Sequence, residues 1–397
     1  MFETHIFCSS CGRKYSTDEK IFRCEKCGGS LEVAFDYKKM KRNITIEKLL
    51  SRPFSHARYV EFYPVKNIIS IQEGGTPLIR SKNIEKMLNL DLELYFKFEG
   101  LNPTGSFKDR GSSVEVAKAV EFGAKKVVCA STGNMGASVS AYSGVANLKC
   151  LIFTPEDAKP IKLKQILGYG AKLFMVKGDY SEAAKLVEEA CAKYGLYLLG
   201  DYLYRREGTK SVGFEIFDQL NFDSKNLYIV SPVGNGTLIS SVWKASKEFF
   251  ELGFIRKKPK LIGIQAEGCN PVVKAFKRDR KIKPVENPRT IAVAIECGNP
   301  LDGDRALKAI VESKGFAESV SDGKILEARE LLAKKEGIFT EPAGAVSLAG
   351  LMKVKDNLPS KCKVVCLATG HGLKTPKTDI HGECHRISDV EEISNFV

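Results

Sequence analysis

From about residue 70 onward, short runs rich in Val, Ile, Leu, Phe and Tyr alternate with longer stretches of helical period. The runs fall at 92–98, 126–130, 149–153, 172–176, 227–230, 260–264 and 364–367, and ten or more residues of helical pattern separate most of them. A parallel strand needs a long crossover to reach its neighbour, and helix-length gaps supply one. The rhythm therefore predicts an α/β fold of mainly parallel, helix-covered sheets. Turn-forming residues cluster where several runs end, the place where open α/β sheets bind ligands. The first forty residues do not share the rhythm. There a strand pattern at 31–37 gives way to the polar Lys38-Lys39-Met40-Lys41-Arg42, closing a separate N-terminal module. No solenoid-type repeat and no low-complexity tract interrupts the rest.

Length changes this picture only by adding room. The chain has 397 residues, 43% hydrophobic and 27% charged, enough for two domains and an appendage. No window approaches an uninterrupted apolar span of membrane length, and the start at Met1-Phe2-Glu3 lacks a signal-peptide pattern, so a cytoplasmic, membrane-free protein is expected. The net charge of +13 invites a nucleic-acid reading. Lysines and arginines are interspersed with acids, however, as in Lys247-Glu248 and Glu251. The expectation is a solvated, salt-bridged surface and no nucleic-acid partner.

Cysteine spacing points to a metal. Cys8-Ser-Ser-Cys11-Gly and Cys24-Glu-Lys-Cys27-Gly-Gly are separated by twelve residues. Two such pairs on a hairpin offer four thiolates in a closed tetrahedral site, a structural zinc ribbon. Redox dithiols and disulfides stay open as alternatives. The other eight cysteines lie singly, mostly in apolar runs, as buried thiols do in a reducing compartment. His381, Cys384 and His385 sit in a polar tail and read as incidental surface residues.

Four further segments carry the chemistry. Asn102-Pro-Thr-Gly-Ser-Phe-Lys108-Asp-Arg-Gly111 follows a strand run and opens a helical pattern. A lysine on the first turn of a helix lies among unpaired backbone N–H groups, a setting that favours a nucleophilic amine able to form an imine with an aldehyde cofactor. Ser131-Thr132-Gly133-Asn134-Met135-Gly136 opens the next helix and offers N–H groups and hydroxyls to an anion. Gly234-Asn235-Gly236-Thr237 lets the backbone approach a phosphate at another helix start, without the lysine of a Walker loop. Thr369 follows the last strand run.

In this order and composition the segments resemble threonine synthases, within the fold-type II enzymes that use pyridoxal 5'-phosphate (PLP). The resemblance implies that Lys108 holds PLP as an imine and that Asn134 contacts the ring 3-oxygen. Gly234, Asn235, Gly236 and Thr237 would cradle the phosphate, and Thr369 would meet the pyridine nitrogen. It implies a substrate site at Ser131, Thr132, Gly133 and Met135, and Arg205 (or Arg206) for a substrate phosphate. Glu341 heads a segment that also resembles the family. The implied organisation is a zinc ribbon at 1–42, a large PLP-binding domain at 43–100 and 201–397, a small domain at 101–200, and a homodimer. The implied reaction turns O-phosphohomoserine and water into L-threonine and phosphate by γ-elimination and β-addition.

Two positions depart from the family pattern. Met135 stands where a hydroxyl residue is usual, and Gly200-Asp201 where an amide–hydroxyl pair is usual. They leave open a PLP-dependent serine/threonine ammonia-lyase or a β-replacement synthase on an O-activated serine. A non-enzymatic, nucleic-acid-binding ribbon protein is a third reading, opposed by the intact Lys108, Asn134 and Thr369.

Overall fold

A computed structural model describes residues 1–375 except 132, 157, 159 and 179. Thr132, His381, Cys384 and His385 therefore lie outside the described residues.

The N-terminal module is a three-stranded antiparallel sheet of β1 (Glu3–Cys8), β2 (Lys14–Tyr15) and β3 (Leu31–Phe35), ordered β2-β1-β3. Gly12 and Gly28, each just after the second cysteine of its pair, adopt φ of +74° and +67° and turn the chain back. The four Sγ atoms of Cys8, Cys11, Cys24 and Cys27 lie within 4.8 Å of one another. Period two puts Leu31, Val33 and Phe35 on one face of β3. That face is not capped within the ribbon; it joins the same core as Phe214, Trp243 and Phe249. The module is thus fused to the body by a shared hydrophobic core.

The body holds two sheets. Its strands are β4 (Leu78–Arg80), β5 (Leu92–Phe98), β6 (Lys126–Ala130), β7 (Lys149–Pro155), β8 (Lys172–Val176), β9 (Tyr197–Leu198), β10 (Leu227–Pro232), β11 (Lys260–Ala266), β12 (Phe316–Val320) and β13 (Cys362–Ala368). The large sheet runs β12-β11-β10-β13-β5-β4, parallel except for β4 at its edge. The small sheet runs β8-β7-β6-β9, all parallel. Every predicted run is a strand. The strands without a predicted run are β4 and β9, of three and two residues, and β12, an edge strand broken by Glu318. Such short or mixed segments give no periodic signal.

The helix Lys108–Glu121 packs against the helices Asn134–Val145 and Leu203–Thr209, and Asp109 to Ala119 are buried on every face. A helix so placed carries polar groups inside, and they are paired. Arg110 grips Glu99 with Nε and Nη2, both at 2.7 Å, and Glu215 with Nη1 and Nη2 at 2.6 and 2.8 Å. Lys97 of β5 adds a third cation, 2.6 Å from Glu215. All four side chains are fully buried. Burial alone raises the pKa of Glu215, but Arg110 and then Lys97 outweigh it and hold it well below the usual carboxylate range.

Exposed lysines pair with acids on the surface, as the interspersed charges lead one to expect. Lys324–Glu327, Lys334–Glu330 and Lys308–Glu312 pair on exposed helix faces, where each adds little stability. Among the described residues no helix is long and apolar enough to cross a membrane.

Candidate active site

Lys108 begins its helix, and the chain around it is fixed from both sides. Asp109, wholly buried, accepts the N–H of Thr104 at 2.7 Å and the Thr104 hydroxyl at 2.5 Å. Burial outweighs these bonds and pushes its carboxyl up to about 6. The N–H of Phe107 donates to the carbonyl of Thr369 at 3.2 Å, stitching the residue before the lysine to the end of β13.

The amine itself has a partner. Lys108 Nζ lies 3.3 Å from Asp201 Oδ1, and Asn235 Nδ2 donates to Asp201 Oδ2 at 2.7 Å. Burial raises the pKa of the Asp201 carboxyl, yet Lys108, Arg205 and the Asn235 bond outweigh that and hold it below its ordinary value. Besides the helix-end N–H groups expected from the sequence, a carboxylate faces the lysine and tethers it to the 234–237 loop.

That loop joins β10 to the helix Thr237–Leu252. Gly236 adopts φ of +92°, and a Cβ there would come within 2.6 Å of the Asp302 carbonyl oxygen, so only glycine fits. Thr237 donates its hydroxyl to Asp302 Oδ2 at 2.9 Å. What remains for an anion is the run of first-turn N–H groups at the helix start.

The second loop follows β6. Ser131 Oγ accepts the N–H groups of Gly133 and Gly136 at 3.2 and 2.7 Å and so shapes the turn. Asn134 Nδ2 donates to Glu341 Oε1 at 2.7 Å, while Asn134 Oδ1 is buried without a partner among the described residues. The N–H of Glu341 donates to the carbonyl of Gly370 at 3.0 Å, beside Thr369. Lys108, Asn134, Asn235 and Thr369 are therefore joined by a short chain of contacts, although they are far apart in sequence.

Two expected substrate contacts are not presented to this site. Met135 is buried in the small-sheet core with Val139 and Ile166. Arg205 is wholly buried, with its guanidinium on Glu115, on Ser112 Oγ at 2.9 Å and on the Lys108 carbonyl at 3.1 Å. Its helix packs face to face with the lysine helix, and Glu115 has already neutralised its charge.

Other cations line the cleft instead. Lys162, Gln165, Leu373 and Lys374 surround a cavity of about 270 Å³. Lys162 Nζ is 3.7 Å from Glu341 Oε2, the carboxylate that holds Asn134. Lys374 Nζ donates to Gln165 Oε1 at 2.6 Å and to the Thr104 carbonyl at 2.5 Å, leaving one of its three protons free of these bonds. Burial pulls its pKa down to about 8, against the opposing pull of Glu341 and Asp109. Sequence reasoning missed both lysines: Lys162 sits in an unremarkable helix pattern, and Lys374 ends the Thr369 segment without standing out from it.

The arrangement fits PLP. An amine for the aldehyde, a glycine-lined helix start for the phosphate, and a buried amide with an unpaired oxygen meet at the ends of β6, β10 and β13. The sequence signature of the family described as "Pyridoxal-phosphate dependent enzyme" matches residues 69–370, from beyond the ribbon to just past Thr369. The threonine synthase of Methanocaldococcus jannaschii is 48% identical over 381 residues, covering 94% of this chain and 93% of that protein. That of Methanosarcina acetivorans is 45% identical, covering 95% and 93%. The chain belongs to the threonine synthase family. Threonine synthases from more distant sources, such as Synechocystis at 39% identity over 83% of this chain and 85% of that protein, extend the match. Among solved structures, serine racemase from Dictyostelium discoideum superposes with a TM-score of 0.63 at 25% identity, covering 83% of this chain and 98% of that one. Processed threonine deaminase isoform 2 from Solanum lycopersicum gives 0.65 at 21%, covering 83% and 85%. These share the fold; threonine synthases share the sequence along nearly the whole chain.

Proposed function

We propose that this protein is a threonine synthase, a PLP-dependent lyase that converts O-phosphohomoserine and water to L-threonine and phosphate. The observation that carries the reading is the Lys108–Asp201–Asn235 chain, which ties a reactive amine to a phosphate-facing loop within a sequence 48% identical to a threonine synthase. PLP, when bound, supplies the aldehyde that takes the amine and the electron sink for bond breaking next to it.

The chain's own groups do the rest. Lys108 Nζ, held 3.3 Å from Asp201, would carry protons between the substrate's α, β and γ carbons. Thr369 would offer the ring nitrogen a hydroxyl rather than a carboxylate, and Asn134, held by Glu341 through one N–H, would offer the other to the ring oxygen. The start of the helix Asn134–Val145, beside Ser131 and Gly133, would receive the α-carboxylate. With Arg205 committed to Glu115, Lys162 and Lys374, which line the cavity, would attract the anionic end of the substrate.

Incubating the PLP form with O-phosphohomoserine, serine and threonine tests the reading. Threonine and phosphate should appear together from O-phosphohomoserine. Ammonia from threonine without phosphate turnover would mean an ammonia-lyase.

Lys374 adds a pH signature. Only its ammonium form attracts an anion, so KM should rise as pH passes about 8. Lys374→Arg should flatten that rise, because a guanidinium stays charged. Lys374→Gln should raise KM roughly 10-fold at pH 7, the worth of one charged hydrogen bond. A KM that is flat with pH in the unaltered enzyme would remove Lys374 from this role.

We infer further that the cysteine cluster takes zinc, since four sulfurs within 4.8 Å suit a closed tetrahedral site. A homodimer in a reducing cytoplasm completes the reading, and the buried free thiols Cys129, Cys150, Cys269, Cys362 and Cys366 suit that compartment.

A further inference from the structure

The ribbon does not merely lie on the body; one of its segments reaches the loop that faces the cofactor phosphate. Gly29 to Leu31 follow the second cysteine pair and are held in the knuckle from one side. The N–H of Cys24 donates to the Gly29 carbonyl at 2.9 Å, and Ser9 donates both its N–H and its hydroxyl to the Ser30 carbonyl at 3.0 Å. There is no slack at Gly29, where an added Cβ would come within 3.0 Å of Cys8 Sγ and 3.2 Å of Cys27 Sγ.

From the other side Ser30 and Leu31 are held by the body. Ser30 Oγ donates to Asp302 Oδ1 at 3.4 Å. Arg206 donates to the Leu31 carbonyl through Nη2 and to Asp302 Oδ1 through Nη1 at 2.9 Å. One residue on, Arg305 pairs with Glu32. Asp302 passes the connection on. Its N–H donates to the Asn235 carbonyl at 3.0 Å, its Oδ2 accepts from Thr237, and its carbonyl crowds Gly236. Asp302 is 1% exposed and Arg206 3%, so water does not compete for these bonds.

We propose that Arg206 and Asp302 are positioning residues that couple the ribbon's metal site to the phosphate-facing loop, so that zinc and PLP bind this chain cooperatively. The proposal rests on the 234–237 loop being the seat of the PLP phosphate. With the thiolates gathered on an ion, Gly29–Leu31 is fixed, Arg206 is anchored at Leu31, and Asp302 holds Asn235, Gly236 and Thr237 in the anion-binding shape. With the ion gone, four thiols no longer hold the knuckle, and the loop must be ordered at the expense of cofactor affinity.

The test is a linkage measurement on the full chain. PLP is resolved from the enzyme, and its rebinding is titrated by absorbance with the ribbon zinc-loaded and again after chelation. Metal loss should weaken PLP binding roughly 5- to 150-fold, the usual span of a coupling between sites. Reciprocity requires that saturating PLP tighten zinc by the same factor, read with a competing chelator. Arg206→Met should remove most of that factor while leaving zinc bound, and Asp302→Asn should keep part of it. A PLP affinity that is the same with and without zinc overturns the proposal, as does an undiminished factor in Arg206→Met or a ribbon that takes up no zinc. Gly236→Ala, whose Cβ would press on the Asp302 carbonyl and distort the loop backbone itself, separates the two readings. If it leaves PLP affinity unchanged, the loop is not the phosphate seat; if it weakens PLP while metal removal does not, the seat stands and the coupling falls.

Discussion

Lys108→Ala is expected to lower threonine formation by on the order of 10⁴-fold while leaving the fold intact. The side chain is 16% exposed, and its polar contacts are made at the tip, to Asp201. Removing it opens no core cavity, so thermal unfolding of the apo chain should move little. Borohydride should cease to fix PLP to the chain, although the phosphate loop can still bind the cofactor reversibly. Lys108→Arg should fail equally, since a guanidinium at neutral pH is no nucleophile. Retained turnover in Lys108→Ala would remove the lysine from the reaction altogether.

The second large effect lies two residues further along. Arg110→Met should cost about 3–5 kcal/mol of stability, because it leaves Glu99 and Glu215 buried without their guanidinium. Glu215→Ala should cost a similar amount by stranding Arg110 and Lys97. The helix that presents Lys108 is held through this cluster, so activity should fall with the fold rather than ahead of it. Thermal melts of the apo and PLP-loaded forms check both. Acid should act on the same point. Glu215 has a folded pKa well below its unfolded value of 4.5, so its contribution is complete above that pH and is lost as pH falls through the folded value. Glu215→Gln should therefore show a shallower loss of stability below pH 4.5. A melt as steep as that of the unaltered chain would place the acid sensitivity elsewhere.

Local pattern carried the fold far. The strands 126–130 and 172–176 are copied in the structure residue for residue: the first is a continuous apolar run buried in the small sheet, and the second, an edge strand with Phe174 and Met175 exposed, is still marked by β-prone residues between turns. The glycine-rich loops were legible for the same reason: they sit at strand ends, and their backbones need residues such as Gly236. Long-range contacts were not legible. Lys97 reads as the one polar residue in an otherwise apolar end of β5, and nothing nearby shows that Glu215 waits for it across 118 positions. Asp201 reads as a liability to a phosphate, but becomes the partner of a lysine 93 residues earlier. Arg205 reads as a free phosphate ligand, and only the packing of two helices reveals Glu115 beside it.

The order of the large sheet bears on how the molecule is born. β13 lies between β10 and β5, at the centre of the sheet, yet it is the last of the described strands to be synthesised. Until it emerges, β5 and β10 each present a bare inner edge, and Thr369 has not reached the lysine. At ordinary elongation rates the wait from β10 to β13 is on the order of 10 s. During that wait the nascent chain holds two half-sheets with unpaired N–H and C=O groups, the template on which neighbouring chains join edge to edge. The hazard of aggregation therefore belongs to the ribosome-bound chain, and the closing strand ends that hazard in the same step that completes the catalytic centre.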